Sequence, residues 1–269
     1  MTNWTRTELP FSWGKLNVWT AGSGPALIVL HGLGGSGRYW HGLSRYLDHR
    51  WTLVAPDLAG FGRSDKPILR YDRTFHLETI DEVAKWAGGK PLLAGHSVGA
   101  VLAALWAARR PEDTAGLALI SALFPRPGLM PASALRIAQA APGARGRMVS
   151  GIFRTVWPAV SVAARASRRF PAALVSDYGR QSIAARADTM WTTLADMSVV
   201  EDLAPLTSAS ANWSSLIIDA VDDRYVIPAD TVRWQQVLPH AERVSIPSGG
   251  HQFLIQSGFG PLATWINAL

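Results

Sequence analysis

Short apolar runs of four or five residues alternate along the chain with stretches whose apolar positions recur at helical spacing, the pattern of a parallel sheet covered by helices. Ala26-Leu27-Ile28-Val29-Leu30 reads as a strand buried on both faces, closed by the glycine-rich stretch from Gly32 to Gly37. Residues 51–55 predict a second strand, ended by Pro56-Asp57. Leu77, Ile80, Val83, Ala84 and Ala87 then share one helical face until Gly88-Gly89 stops the helix. Pro91-Leu92-Leu93-Ala94 predicts a third strand, leading straight into a helix with Val98, Val101, Leu102, Leu105 and Trp106 on one face. Leu117-Ala118-Leu119-Ile120 is a fourth.

From about Ala122 to Ala211 the strand pattern disappears. Alanine- and arginine-rich helical stretches, punctuated by Pro131, Pro158 and Pro171, replace it. Strands resume at residues 216–218 and 244–246, and a last helix runs to Leu269. The predicted organisation is an α/β core of residues 1–121 and 212–269, interrupted by a helical cap of residues 122–211.

Composition narrows the class. With 48% hydrophobic and 17% charged residues, the chain of 269 is expected to fold. The absence of cysteine excludes disulfides, cysteine-ligated zinc, iron–sulfur clusters and a thiol nucleophile. No uncharged run reaches the ~20 apolar residues of a membrane span, and the opening residues hold no apolar signal region. A cytoplasmic protein without cofactor or metal is the expectation.

The net charge of +6 is unevenly placed. Between Ala122 and Met190 stand ten arginines (126, 136, 145, 147, 154, 165, 168, 169, 180 and 186) against only Asp177 and Asp188, a local net of +8 over a remainder of −2. Solvated helix faces are the bland explanation. The sharper expectation is attraction of an anionic substrate, or of an acidic acyl carrier protein delivering a thioester, with Arg165, Arg168 and Arg169 as the cluster to test. Nucleic acid is not expected, since no recognition helix or stacking platform accompanies the charge.

Two motifs compete for the chemistry. Gly32-Leu33-Gly34-Gly35-Ser36-Gly37 fits G-x-G-x-x-G after a strand and before an expected helix, and Asp57 lies twenty residues beyond Gly37, the layout of a dinucleotide site. Gly95-His96-Ser97-Val98-Gly99 fits G-x-S-x-G between a strand and a helix, where a serine on a sharp turn projects its hydroxyl above the sheet edge. The second motif outweighs the first, because a glycine loop also serves any site that needs exposed backbone N–H groups.

A serine nucleophile needs a base, and a histidine base needs a carboxylate. His251 follows the loop Pro247-Ser248-Gly249-Gly250, whereas His31 precedes the glycine loop and shapes it, His96 sits inside the serine elbow, and His41, His49, His76 and His240 look like packing or surface residues. Among Asp219, Asp222 and Asp223, Asp223 is preferred and Asp222 stays open as the acid. The backbone N–H groups of Val98 and Leu33 are the expected oxyanion donors.

These pieces give the chain a resemblance to the α/β-hydrolase superfamily over nearly its whole length. It rests on His31-Gly32-Leu33-Gly34-Gly35, Pro56-Asp57-Leu58-Ala59-Gly60-Phe61-Gly62-Arg63-Ser64, the serine elbow, the 220–228 loop and Gly250-His251. The resemblance implies an eight-stranded, mostly parallel sheet flanked by helices, with the cap inserted after the sixth strand. It implies the order Ser97, Asp223, His251 for nucleophile, acid and base. Ser97 argues against the dehalogenase and epoxide-hydrolase branches, which use aspartate. The acid loop departs from the family pattern: Ala220 replaces a glycine, and Pro228 stands five residues beyond Asp223 instead of four.

The implied activity is a serine hydrolase acting on an ester, with a thioester or a carbon–carbon bond as variants, of a medium-sized hydrophobic small molecule, an anionic one if the cap arginines attract substrate. A lyase or cyclase using the same three residues is the alternative. Among twelve tryptophans, Trp40, Trp157 and Trp191 are the expected liners of an aromatic pocket under the cap.

Overall fold

The structure is a computed structural model that describes residues 3–47, 50–126, 128–129, 144–166 and 170–269. One sheet contains β1 (Thr5–Phe11), β2 (Gly14–Gly22), β3 (Ala26–Leu30), β4 (Thr52–Pro56), β5 (Leu92–His96), β6 (Gly116–Ile120), β7 (Ser214–Ala220) and β8 (Glu242–Ile246). The order across the sheet is β1-β2-β4-β3-β5-β6-β7-β8. From β4 to β8 every neighbouring pair is parallel, and β1 and β2 add an antiparallel hairpin beside β4.

The strands that read as continuous apolar runs are the central ones: β3, β5 and β6 are buried at every position. The hairpin escaped the pattern. Thr5-Arg6-Thr7-Glu8 offers no apolar face, and β1 buries only Leu9. Its strand character comes from pairing to β2, whose Leu16, Asn17 and Val18 are buried.

Helix α1 (Arg73–Ala87) starts where Asp72 accepts a hydrogen bond from the Phe75 N–H, and it buries the predicted face of Leu77, Ile80 and Val83. Helix α2 (Val98–Arg109) is buried from Val98 through Ala108. Its small and aliphatic side chains suit a helix covered on all sides.

Two expected helices differ. The segment after the glycine loop forms only two short 3-10 turns, Gly37–Trp40 and Leu43–Arg45. It is held flat against β4: a β-carbon on Gly37 would lie 2.2 Å from the Ala55 carbonyl oxygen, and the Gly37 N–H donates to Asp57 at 2.6 Å. The C-terminal helix is two pieces, Phe253–Ser257 and Gly260–Asn267, divided at Gly258 with φ +91°.

Between β6 and β7 lies the inserted helical region. Its longer elements are α3 (Ala144–Ala166), α4 (Ala172–Tyr178) and α5 (Ile183–Met190), followed by a π-helical turn at Trp191–Ala195 and two short helices, α6 (Ser198–Leu203) and α7 (Leu206–Ala209). Both acidic residues of its basic stretch anchor it to the core. Asp177 is fully buried and accepts from Ser36 Oγ at 2.8 Å and from Arg38 Nε and Nη2 at 2.7 and 2.6 Å. Asp188 accepts from the Tyr71 N–H at 2.6 Å and from Arg70 Nε at 3.0 Å. Arg73 adds contacts to Asp196 and Asp202 at 2.6 and 3.0 Å. Of the arginines singled out by charge, Arg136, Arg168 and Arg169 lie outside the described residues, as do the side chains of Arg145, Arg147 and Arg154. Among the described residues no helix is long and apolar enough to cross a membrane.

Candidate active site

The parallel register brings the carboxyl ends of β3, β5, β6 and β7 to one edge, where the loops that follow them converge. The turn from β5 into α2 is tight enough to require its glycines. A β-carbon on Gly95 would lie 2.3 Å from the Gly99 carbonyl oxygen, and one on Gly99 would lie 2.5 Å from that of Leu30. Ser97 sits between them with φ +56° and ψ −121°, a conformation that strains a non-glycine residue by roughly 1–3 kcal/mol. The bend turns its hydroxyl toward the loop after β8.

Ser97 Oγ lies 2.9 Å from His251 Nε2, and His251 Nδ1 lies 2.8 Å from Asp223 Oδ2. Asp223 Oδ1 accepts from the N–H groups of Tyr225 and Val226 at 2.8 and 3.2 Å. Burial pushes the Asp223 carboxyl up, but the hydrogen bond and charge of His251 and those two amides hold it below the usual carboxylate value overall. An anionic Asp223 fixes the proton on His251 Nδ1 and leaves Nε2 free to accept from Ser97.

Asp222 has a different task. It is exposed, and its two oxygens accept from the N–H groups of Gly249 and Gly250 at 3.1 and 2.7 Å. It thus ties the loop carrying His251 to the loop carrying Asp223. Asp219 is occupied by the Thr231 hydroxyl at 2.8 Å.

The other motif histidines are structural. His31 Nδ1 donates to the Gly32 carbonyl at 2.8 Å, its Nε2 accepts from the Leu58 N–H at 3.0 Å, and burial pushes its imidazole down to about 4. His96 is buried against Tyr39, with ring centroids 4.9 Å apart, and its Nε2 donates to the His251 carbonyl at 2.7 Å. Burial, with His251 nearby, pushes the His96 imidazole down to about 3, so it stays neutral in that contact. Sequence spacing did not reveal this support for His251.

The glycine loop is committed to the same site. Gly35 N–H donates to the Gly32 carbonyl at 2.9 Å and closes the turn. The N–H groups of Leu33 and Val98 have no acceptor among the described residues, and both residues line the cavity above Ser97. Two unclaimed donors beside a nucleophile can stabilise an oxyanion. The structure agrees with setting the dinucleotide layout aside: Asp57 is fully buried and accepts from the N–H groups of Gly37 and Arg63, both at 2.6 Å, and from Asn17 at 3.2 Å. No oxygen remains exposed to bind a ribose.

The cavity measures about 650 Å³, within the range of small-molecule sites. Its roof comes from the insert, including Trp157, Phe170, Tyr178, Arg186 and Met190. Trp157 stacks on Phe153 at 5.4 Å and approaches Tyr178 to 4.9 Å. Trp40 and Trp191 do not line the cavity, contrary to expectation. Trp40 is fully buried beneath the 3-10 turns, 6.0 Å from the Phe259 ring. Arg186, Met190 and Leu194 face the cavity at four-residue intervals, which rotates Trp191 onto another side of its helix. Arg186 was legible only as one arginine of ten; that spacing was the signal that could have singled it out.

Comparison with known proteins agrees with the architecture. Residues 25–257 match the family model described as alpha/beta hydrolase fold. An uncharacterised protein of Mycobacterium tuberculosis (strain ATCC 25618 / H37Rv) is 35% identical over 103 residues, 38% of this chain and 30% of the relative. A 2-(acetamidomethylene)succinate hydrolase of Mesorhizobium japonicum (strain LMG 29417 / CECT 9101 / MAFF 303099) is 35% identical over 98 residues, 36% of this chain and 35% of the relative. Both alignments therefore cover about a third of the relative's length. A thioesterase domain from the curacin biosynthetic pathway superposes with a TM-score of 0.75 at 20% identity, covering 98% of this chain and 99% of the domain.

Proposed function

The chain belongs to the α/β-hydrolase fold family, and from that premise we propose that it is a serine hydrolase cleaving an ester or thioester of a hydrophobic small molecule through an acyl-enzyme. The observation that carries the reading is the continuous relay from Ser97 through His251 to Asp223, facing two unclaimed backbone N–H groups across one cavity.

In the first half-reaction Ser97 Oγ attacks the carbonyl carbon while His251 Nε2 takes the hydroxyl proton. The N–H groups of Leu33 and Val98 receive the developing oxyanion, and Asp223 stabilises the imidazolium. Collapse breaks the bond to the leaving alcohol or thiol, which takes the proton from His251. In the second half a water gives its proton to His251 and attacks the acyl carbon. The acid leaves, and the proton returns to Ser97 Oγ.

The mostly apolar and aromatic cavity lining supports a hydrophobic acyl group. The hydrolase and thioesterase names of the relatives support acyl transfer to water as the reaction class. The positive charge of the insert supports an acidic acyl carrier protein as one form of thioester donor. An ester and thioester panel on wild type beside Ser97→Ala tests the reading. Turnover by wild type that falls at least about 10³-fold in the variant is expected. Retained turnover in Ser97→Ala would contradict it.

A further inference from the structure

Among the described residues, Arg186 stands alone in the cavity. The other described liners include no lysine, no second arginine, no aspartate and no glutamate. A half-buried guanidinium in an aromatic pocket normally has a carboxylate beside it, because an unpaired charge there is poorly solvated. The surrounding insert supplies none: Asp196 and Asp202 pair with Arg73, and Glu201 is exposed outside the cavity lining. Between Ala122 and Met190 its only acidic residues are Asp177 and Asp188, which are engaged by Arg38 and Arg70 on the core side. Asp223 is buried behind His251.

What Arg186 does touch orients it without neutralising it. Its guanidinium lies over the Tyr178 ring at 5.6 Å, and Nη1 donates weakly to Gln181 Oε1 at 3.4 Å. The group is held against the glycine loop: a β-carbon on Gly34 would lie 3.0 Å from Arg186 Nη1. Gly34 directly follows Leu33, whose N–H is one of the two unclaimed donors. A cation therefore waits beside the place where an acyl carbonyl would bind.

We propose that Arg186 recognises a carboxylate on the acyl portion of the substrate, a short chain away from the scissile carbonyl. This rests on the serine-hydrolase reading and narrows it to esters or thioesters of dicarboxylic acids. It also separates recognition from long-range attraction: the exposed arginines of the insert contribute overall field, while Arg186 forms a directed, charge-assisted hydrogen bond.

The test compares mono-4-nitrophenyl succinate with 4-nitrophenyl 4-methylpentanoate, which share a leaving group and differ at the acyl end in charge. After subtraction of spontaneous hydrolysis, wild type is expected to favour the succinate in kcat/KM. Arg186→Gln should lower the succinate-to-methylpentanoate ratio at least tenfold, mainly through KM for the succinate. Arg186→Lys should restore part of the ratio, and Arg165→Gln, which removes one exposed, screened charge of the same insert, should change it by less than about twofold. Equal ratios in wild type and Arg186→Gln would overturn the proposal, and an equal fall with Arg165→Gln would reduce it to general attraction. Calorimetric titration of succinate into wild type and Arg186→Gln supplies a readout independent of turnover. If neither ester is cleaved and a fluorophosphonate leaves Ser97 unlabelled, the hydrolase reading fails. Weaker succinate binding to Arg186→Gln would still support the anion site, and equal binding would remove it.

Discussion

The core and the insert build their halves of the site by different means. In the core, the backbone does the placing. Parallel strands bring the four loops after β3, β5, β7 and β8 to one edge, Gly95 and Gly99 permit a turn that no larger residue would fit, and Ser97 is held with φ +56°. In the insert, side chains do the placing: Asp177 and Asp188 pin α4 and α5 to the core, and Trp157 from α3, Tyr178 from α4 and Arg186 from α5 hang over the cavity. The contrast teaches a division of labour. A covalent step needs atoms fixed to a few tenths of an ångström, which a close-packed backbone supplies. Substrate choice needs a surface that can vary without disturbing that frame.

The largest expected effect belongs to the core. Asp223→Asn should lower kcat by about 10⁴, because an amide can leave the proton on the wrong imidazole nitrogen. Asp222→Asn should cost about tenfold or less, since it loosens the loop carrying His251 without altering its tautomer. Steady-state kinetics on both variants would expose an exchange of roles, and an equal loss would break the assignment.

Next comes the joint between the regions. Asp177→Asn leaves Arg38 without its buried partner, and breaking such a pair costs about 3 kcal/mol. A lower thermal midpoint with KM raised more than kcat is lowered is expected. Unchanged stability would mean that the insert is held some other way.

Within the insert, Trp157→Ala should raise KM for aromatic or long acyl esters several-fold while fluorophosphonate labelling of Ser97 proceeds as before. Labelling lost together with KM would show that the insert also supports the chemistry.

The smallest effect is on acid stability. Asp222 is held below the usual carboxylate value of 3.8 by the Gly250 and Gly249 amides. Asp223 is also held below it, burial being outweighed by His251 and two amides. A depressed carboxylate contributes its full stabilisation above the unfolded value and loses it as pH falls through the folded one. Exchange protection at Gly249 and Gly250, corrected for intrinsic rate, should therefore be flat from about pH 5 to pH 8 and decline below about pH 3.8.

Legibility in the sequence follows the same division. The buried strands announced themselves because continuous apolar runs have few other uses, and the serine elbow did so because glycine spacing reports backbone crowding directly. The β1–β2 hairpin did not, because its order derives from pairing and not from a buried face of its own. Asp57 was ambiguous for a related reason: its distance from the glycine loop fits a ribose ligand as well as it fits a carboxylate binding the loop's own N–H groups, and the serine elbow, not Asp57 itself, tipped the reading. In the insert, composition revealed the charge but not that Arg186, alone among the described arginines, lines the cavity, and Trp40 and Trp191 show that an aromatic residue near a site need not face it.

The central claim is that Ser97 is the nucleophile set up by the core. Intact-mass analysis after treatment with a fluorophosphonate, followed by peptide mapping, tests it most directly. A single adduct on Ser97, absent from Ser97→Ala and strongly slowed in His251→Ala, is the predicted result. An unmodified wild-type protein, or an adduct on any other residue, would contradict it.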